Sequence, residues 1–149
     1  MKTIGLIGGM SWESTSVYYQ LINKKIKSVL GDNHSAKIVM ISVDFHEIAK
    51  LQHDNNWKQL SVMMVETAKR LEKAGADFVV LCTNTMHKVS ADIENNISVP
   101  FLHIADAIAA EIVEKKIKKV ALLGTKFTME QDFLKEKITS LNIEIIIPN

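Results

Sequence analysis

The chain has 149 residues, 47% of them hydrophobic, enough to bury one core of ordinary domain size and too apolar for a disordered segment. Its 18 Lys and Arg against 17 Asp and Glu leave a net charge of +1, so no overall field recruits nucleic acid or an anionic membrane surface. A single cysteine allows no internal disulfide, no apolar run nears the roughly 18 residues of a membrane span, and the N-terminus has no secretory pattern, so a cytoplasmic location is expected.

In chain order, Thr3 to Ile7 reads as a short buried strand. Gly8-Gly9-Met10-Ser11 then turns the chain into a helix, the glycines suiting the tight bend and Ser11 the N-cap. That helix runs from about Trp12 to Leu30, with Tyr18, Leu21, Ile22, Ile26 and Val29 expected on one face and Gly31 as its stop. Its N-terminal amides suit an anion such as a carboxylate. Gly5-x-x-Gly8-Gly9 lacks the spacing of the dinucleotide fingerprint, so a plain strand-to-helix turn is the better reading. A second strand, Lys37 to Val43, leads into Asp44-Phe45-His46-Glu47 and a short helix through Gln52. Asp44, His46 and His53 fit no standard metal spacing, and no metal is expected. From Trp57 a helix carries Leu60, Met64, Ala68, Leu71 and Ala74 at helical spacing until Gly75.

The stretch from Asp77 to Lys88 carries the chemistry. Phe78 to Leu81 run apolar into Cys82-Thr83-Asn84-Thr85, the pattern of a buried parallel strand that delivers polar groups at its carboxyl end. A buried cysteine is more often packing than nucleophile, and Asn and Thr at a strand end often satisfy their own backbone. His87 opens the next helix, about Met86 to Asn95, where it either orients Thr83 or Asn84 or simply caps and packs. Val99 to Ile104 reads as a fourth short strand and Ala105 to Lys116 as an amphipathic helix. The alternation implies an α/β fold, a parallel sheet with helices on both faces.

At Lys118 the pattern begins again. Lys118 to Gly124 matches Lys2 to Gly8, Thr128 and Gln131 cap a helix from about Met129 to Ser140, and Ile143 to Ile147 is a last strand. The chain divides into a first lobe, residues 1–116, and the first strand-helix-strand unit of a second, residues 117–149. Such a unit cannot cover its own apolar faces, so either the chain is part of something longer, or the unit is expected to add to the first lobe's sheet or to a partner chain, and homo-oligomers are expected.

Two stretches, Gly8-Gly9-Met10-Ser11-Trp12-Glu13-Ser14-Thr15 and Cys82-Thr83-Asn84-Thr85-Met86-His87, with Leu123-Gly124-Thr125 opening the second lobe, resemble the aspartate/glutamate racemase family in its aspartate racemase-like branch. The resemblance covers the whole chain. It implies two flavodoxin-like lobes facing each other across a small acidic amino acid, aspartate or glutamate, with no pyridoxal cofactor and no metal. It also implies that each lobe supplies one acid/base residue, usually cysteine, one taking the α-proton and the other protonating the opposite face. The family's slot before Asn84-Thr85 falls here on Thr83, with Cys82 one residue earlier and on the opposite side of the strand.

Thr83 and Cys82 are thus the catalytic candidates, and Met10, Gln52, Thr83, Asn84 and Thr85 the substrate-binding candidates. Removing the α-proton leaves negative charge, which Asn84, Thr85 and the backbone amides near Gly9 and Met10 are suited to hold. A hydroxyl is a poorer base than a thiol, so Thr83 is expected to act mainly as a proton donor. The family's second cysteine, in a late Gly-Cys-Thr motif, has no counterpart in this sequence, so the chain alone is expected to be inactive as a racemase. The alternatives are a non-catalytic lobe that binds an acidic amino acid or a partner chain, and a related cofactor-independent isomerase or decarboxylase.

Overall fold

The computed structural model describes residues 1–124, 129 and 132–147. Its elements run β1 (Thr3–Gly8), α1 (Trp12–Leu30), β2 (Lys37–Ser42), α2 (Phe45–His53), α3 (Trp57–Lys73), β3 (Phe78–Leu81), a 3-10 turn (Thr85–Val89), α4 (Ser90–Glu94), β4 (Phe101–Leu102), α5 (Ile104–Glu114), β5 (Lys119–Ala121), α6 (Asp132–Thr139) and β6 (Glu144–Ile146).

Four parallel strands make one sheet in the order β2-β1-β3-β4, with Ile7 of β1 opposite Ile41 of β2 and Leu81 of β3. Leu6 and Ile7 are both wholly buried although they point to opposite faces, because helices cover the two sides; that is why β1 reads as an apolar run rather than an alternation. On one side α3 lays down Leu60, Met64, Ala68 and Leu71, joined by Ile48 of α2 and Ile93 of α4, against Ile7, Val79 and Leu81. Each large side chain so buried contributes about 1.5–3 kcal/mol. The α/β architecture is the expected one.

On the other side α1 buries Thr15 and half-buries Tyr18, Ile22 and Ile26. Leu21 and Val29, expected on that face, are 60% and 65% exposed. Leu21 lies off the 15-18-22-26 stripe. Val29 lies in the last turn, and a 19-residue helix of about 28 Å overhangs a six-residue strand of about 20 Å.

Two further boundaries differ from expectation. The helix expected over Met86 to Asn95 opens as a 3-10 turn, because the His87 ring takes the Thr83 carbonyl at 2.7 Å while the His87 amide bonds Asn84 O at 3.0 Å. The fourth strand shrinks to Phe101–Leu102, since Pro100 has no amide to donate and His103 already caps α5.

The restart at Lys118 does not extend the first sheet, as one expectation had it, but gives a separate parallel pair, β5-β6, with Val120 opposite Ile145. Ala105 and Ile112 of α5 cluster with Ile138, Ile143, Val120, Leu122 and Ile145, so α5 packs on the unit that follows it. Thr125, Thr128 and Gln131 lie outside the described residues. Among the described residues no helix is long and apolar enough to cross a membrane.

Candidate functional site

Strand order explains why two distant motifs meet. β1 and β3 are neighbours, and the amide of Cys82 donates to Ile7 O at 2.9 Å, so the polar turns that follow both strands emerge side by side at the carboxyl edge of the sheet. The first turn needs glycine at position 9: its φ is 95°, and a Cβ there would stand 2.2 Å from the Val43 carbonyl oxygen. Thr15, one turn into α1, accepts the Gly9 amide on Oγ1 at 2.9 Å and donates to Ser11 O at 3.1 Å. Ser14 Oγ donates to Cys82 O at 3.1 Å. Glycine, serine and threonine in this first motif are thus the parts of one folded turn and its tie to β3.

Between the two turns lies a hollow of about 470 Å³. Met10, Ser11, Ser14 and Tyr18 line one wall and Thr83, Asn84 and Thr85 the other, with Ile104 and Gly124 at the rim. Ser11 occupies the N-cap position of α1, but its side chain makes no capping bond. Among the described residues the first-turn amides of α1 therefore have no side-chain cap at the edge of the hollow, and a helix end of this kind is suited to an anion. The Gly9 amide, expected to face such an anion, is taken by Thr15 instead.

Of the expected site residues, Met10, Thr83, Asn84 and Thr85 are brought together here. Cys82 is not among the lining residues. It is wholly buried, and burial pushes its thiol up to about 12. Gln52 also stands apart, its amide donating to Met86 Sδ at 3.2 Å from the last turn of α2. Asp44 accepts the His46 amide at 3.0 Å as the cap of α2, and the exposed His53 lies 3.5 Å from Asp54. Among the described residues no three His, Cys, Asp or Glu side chains are grouped to hold a metal ion.

Tyr18 and Ser14 went unassigned as site residues in the sequence. The signal was there, since residues four apart share a helix face and Ser14 lies inside the motif. Burial, and then the nearby Cys82, raise the Tyr18 phenol above its usual range. A larger groove of about 540 Å³ runs between α3 and α4, but it shares no lining residue with the hollow. Within it Ser61 bonds Asp92, and the Lys88 ammonium lies 4.0 Å over the Trp57 ring.

Known proteins resemble this chain in sequence and fold. Over 148 residues the chain is 28% identical to the broad specificity amino-acid racemase RacX of Bacillus subtilis, covering 96% of this chain and 63% of that protein. A candidate Asp/Glu racemase from Yersinia pestis superposes over the whole chain and 65% of its own length, with TM-score 0.96 and 51% identity. An aspartate racemase homologue from Pyrococcus horikoshii gives TM-score 0.86 and 35% identity, again over 100% of this chain and 65% of that one. The chain thus spans just under two thirds of the length of these relatives. With the Asp/Glu/Hydantoin racemase family model matching residues 7–149, the chain belongs to that family.

Proposed function

We propose that this chain carries one half of a cofactor-independent racemase site for aspartate or glutamate. The observation that supports this best is the shared hollow. The polar end of β3 and the open N-terminus of α1 face one cavity of about 470 Å³, within the usual range for a small-molecule site. A substrate carboxylate sits against the first-turn amides of α1. Asn84 and Thr85 donate to the oxygen that gains charge as the α-proton leaves. Thr83 presents its hydroxyl toward Cα as a proton donor, since an alcohol is a weak base. The names of the relatives, an amino-acid racemase and an aspartate racemase homologue, support the substrate class.

Inversion needs a second acid/base group on the opposite face of Cα. The sequence holds a single thiol, Cys82, buried away from the hollow, so the opposite group is assigned to protein outside these residues and the chain alone does not sustain turnover. Residues 1–116 are the first lobe in this reading, and 117–149 open the second, with α5 packed across. Exposed Leu123 and Ile146 on that opening favour self-association. The free thiol fits a reducing cytoplasm.

The test is a titration of the purified chain with L-aspartate, L-glutamate and succinate, following amide resonances and the build-up of D-amino acid. Shifts at Ser14, Asn84 and Thr85 without sustained racemisation are expected. Unmoved resonances there, or steady turnover by this chain alone, overturn the reading.

A further inference from the structure

A buried imidazole ties one wall of the hollow to its rim. His87 is 1% exposed, and the partners of its two ring nitrogens leave its protonation no freedom. Nδ1 lies 2.7 Å from the carbonyl oxygen of Thr83, which can only accept. Nε2 lies 3.2 Å from the backbone nitrogen of Ile104, which can only donate. Nδ1 therefore carries the proton and Nε2 the lone pair, so the ring is neutral and held in one tautomer. Thr83 and Ile104 both line the hollow, yet one lies just past the end of β3 and the other is the first residue of α5.

Neighbouring rings fix the imidazole plane. His103 meets it edge-on with ring centres 4.5 Å apart, and Phe101 lies at 5.7 Å. His103 in turn accepts the Ala105 amide on its own Nδ1 at 3.0 Å. The first two amides of α5, which the helix itself cannot satisfy, are thus each taken by an imidazole lone pair. A side chain that merely filled space under the loop would need neither a fixed tautomer nor two backbone partners.

We infer that His87 is a positioning residue of this site, whose neutral Nδ1–H imidazole clamps the Thr83 carbonyl to the first amide of α5 and so fixes the Thr83 wall of the hollow against its Ile104 rim. The clamp stands on geometry alone; its bearing on substrate rests on the racemase reading above.

Two measurements test it separately. Long-range nitrogen–proton NMR spectra of the full chain at neutral pH are expected to show His87 protonated at Nδ1 and bare at Nε2. An Nε2-protonated ring or an imidazolium overturns the clamp, whatever ligand does or does not bind. His87→Phe keeps the ring contacts and loses both polar ones, while His87→Gln keeps a donor and an acceptor. The Phe variant is expected to bind L-aspartate about tenfold more weakly, with amide shifts at Thr83, Asn84 and Ile104, and the Gln variant to recover part of both. Parental affinity and an unmoved spectrum in His87→Phe overturn the positioning role. If that variant does not fold, the tautomer and the Gln variant decide, parental behaviour of the latter counting for the clamp and a loss as large as unfolding against it. If the parent chain binds no acidic amino acid, the racemase reading falls, and the clamp is judged by the tautomer and the ligand-free spectra.

Discussion

The Ser14 hydroxyl donates to the Cys82 carbonyl at 3.1 Å across 68 residues of sequence, fastening the first turn of α1 to the tip of β3. Both ends adjoin the hollow, so the bond sets how the N-terminal end of α1 stands relative to Thr83 and Asn84. A partly buried neutral hydrogen bond contributes about 0.5–1.5 kcal/mol. Ser14→Ala is expected to lower stability by about 1 kcal/mol in urea unfolding, within that range, and to shift the Thr83 and Asn84 amides. An unchanged midpoint with unchanged amides contradicts the bond.

Two glycines with positive φ separate backbone freedom from space. Gly9 and Gly31 have φ of 95° and 79°, but a Cβ at Gly9 would strike the Val43 carbonyl at 2.2 Å, whereas at Gly31 nothing lies within 4 Å. Gly31→Ala is expected to cost about 1–3 kcal/mol for the backbone conformation alone. Gly9→Ala adds a collision with main chain on top of that, and overpacking costs about 1–3 kcal/mol more. Equal losses in the two variants, measured by denaturant unfolding, would show that the Gly9 turn has slack.

How much of this was legible in the sequence follows from where the causes lie. β1, α3 and β3 could be read because burial on both faces, or a stripe at helical spacing, writes itself into consecutive residues. The hollow could be located because Thr83, Asn84 and Thr85 follow an apolar run directly. Gln52 could not be resolved, since whether its amide meets a ligand or Met86 depends on a contact 34 residues away. The helix expected from Met86 is present, but its first turn is 3-10 because one side chain, His87, outcompetes an amide for the Thr83 carbonyl. The exposure of Leu21 and Val29 depends on the position and length of α1 relative to the sheet, which local periodicity does not encode.

His87 and His103 give stability a pH dependence with a definite sign. Both are lowered from 6.5 to about 4. Burial is the main cause for each; His103 adds to it for His87, and Lys137, paired with Asp106 at 2.9 Å, adds to it for His103. The unfolded chain takes up these protons near pH 6.5, the folded chain only near 4. Between those values the unfolded state holds more protons, so stability falls as pH falls, by up to about 1.4 kcal/mol per pH unit for His87. His103 acts in the same direction, its share reduced by solvent screening around the Lys137–Asp106 pair. The urea midpoint is expected to drop steadily over that window and to drop less in His87→Phe. A flat midpoint contradicts the buried neutral pair.

Cys82 and Thr83 are neighbours with opposite environments. The thiol is wholly buried and pushed up to about 12, while the Thr83 side chain is half-buried at the hollow. Only a thiolate reacts readily, and burial removes both the charge and the access. The native chain is therefore expected to resist a thiol reagent at neutral pH and to react at once in urea, with the native rate following transient opening. A native rate equal to that of a free cysteine would place Cys82 at the surface. The same contrast extends to ligand. Thr83→Val keeps the shape of the side chain and removes the hydroxyl, so it is expected to weaken binding of L-aspartate, whereas Cys82→Ala costs stability and leaves affinity near the parent value. The reverse order would place the sulfur, rather than the hydroxyl on the hollow, against the ligand.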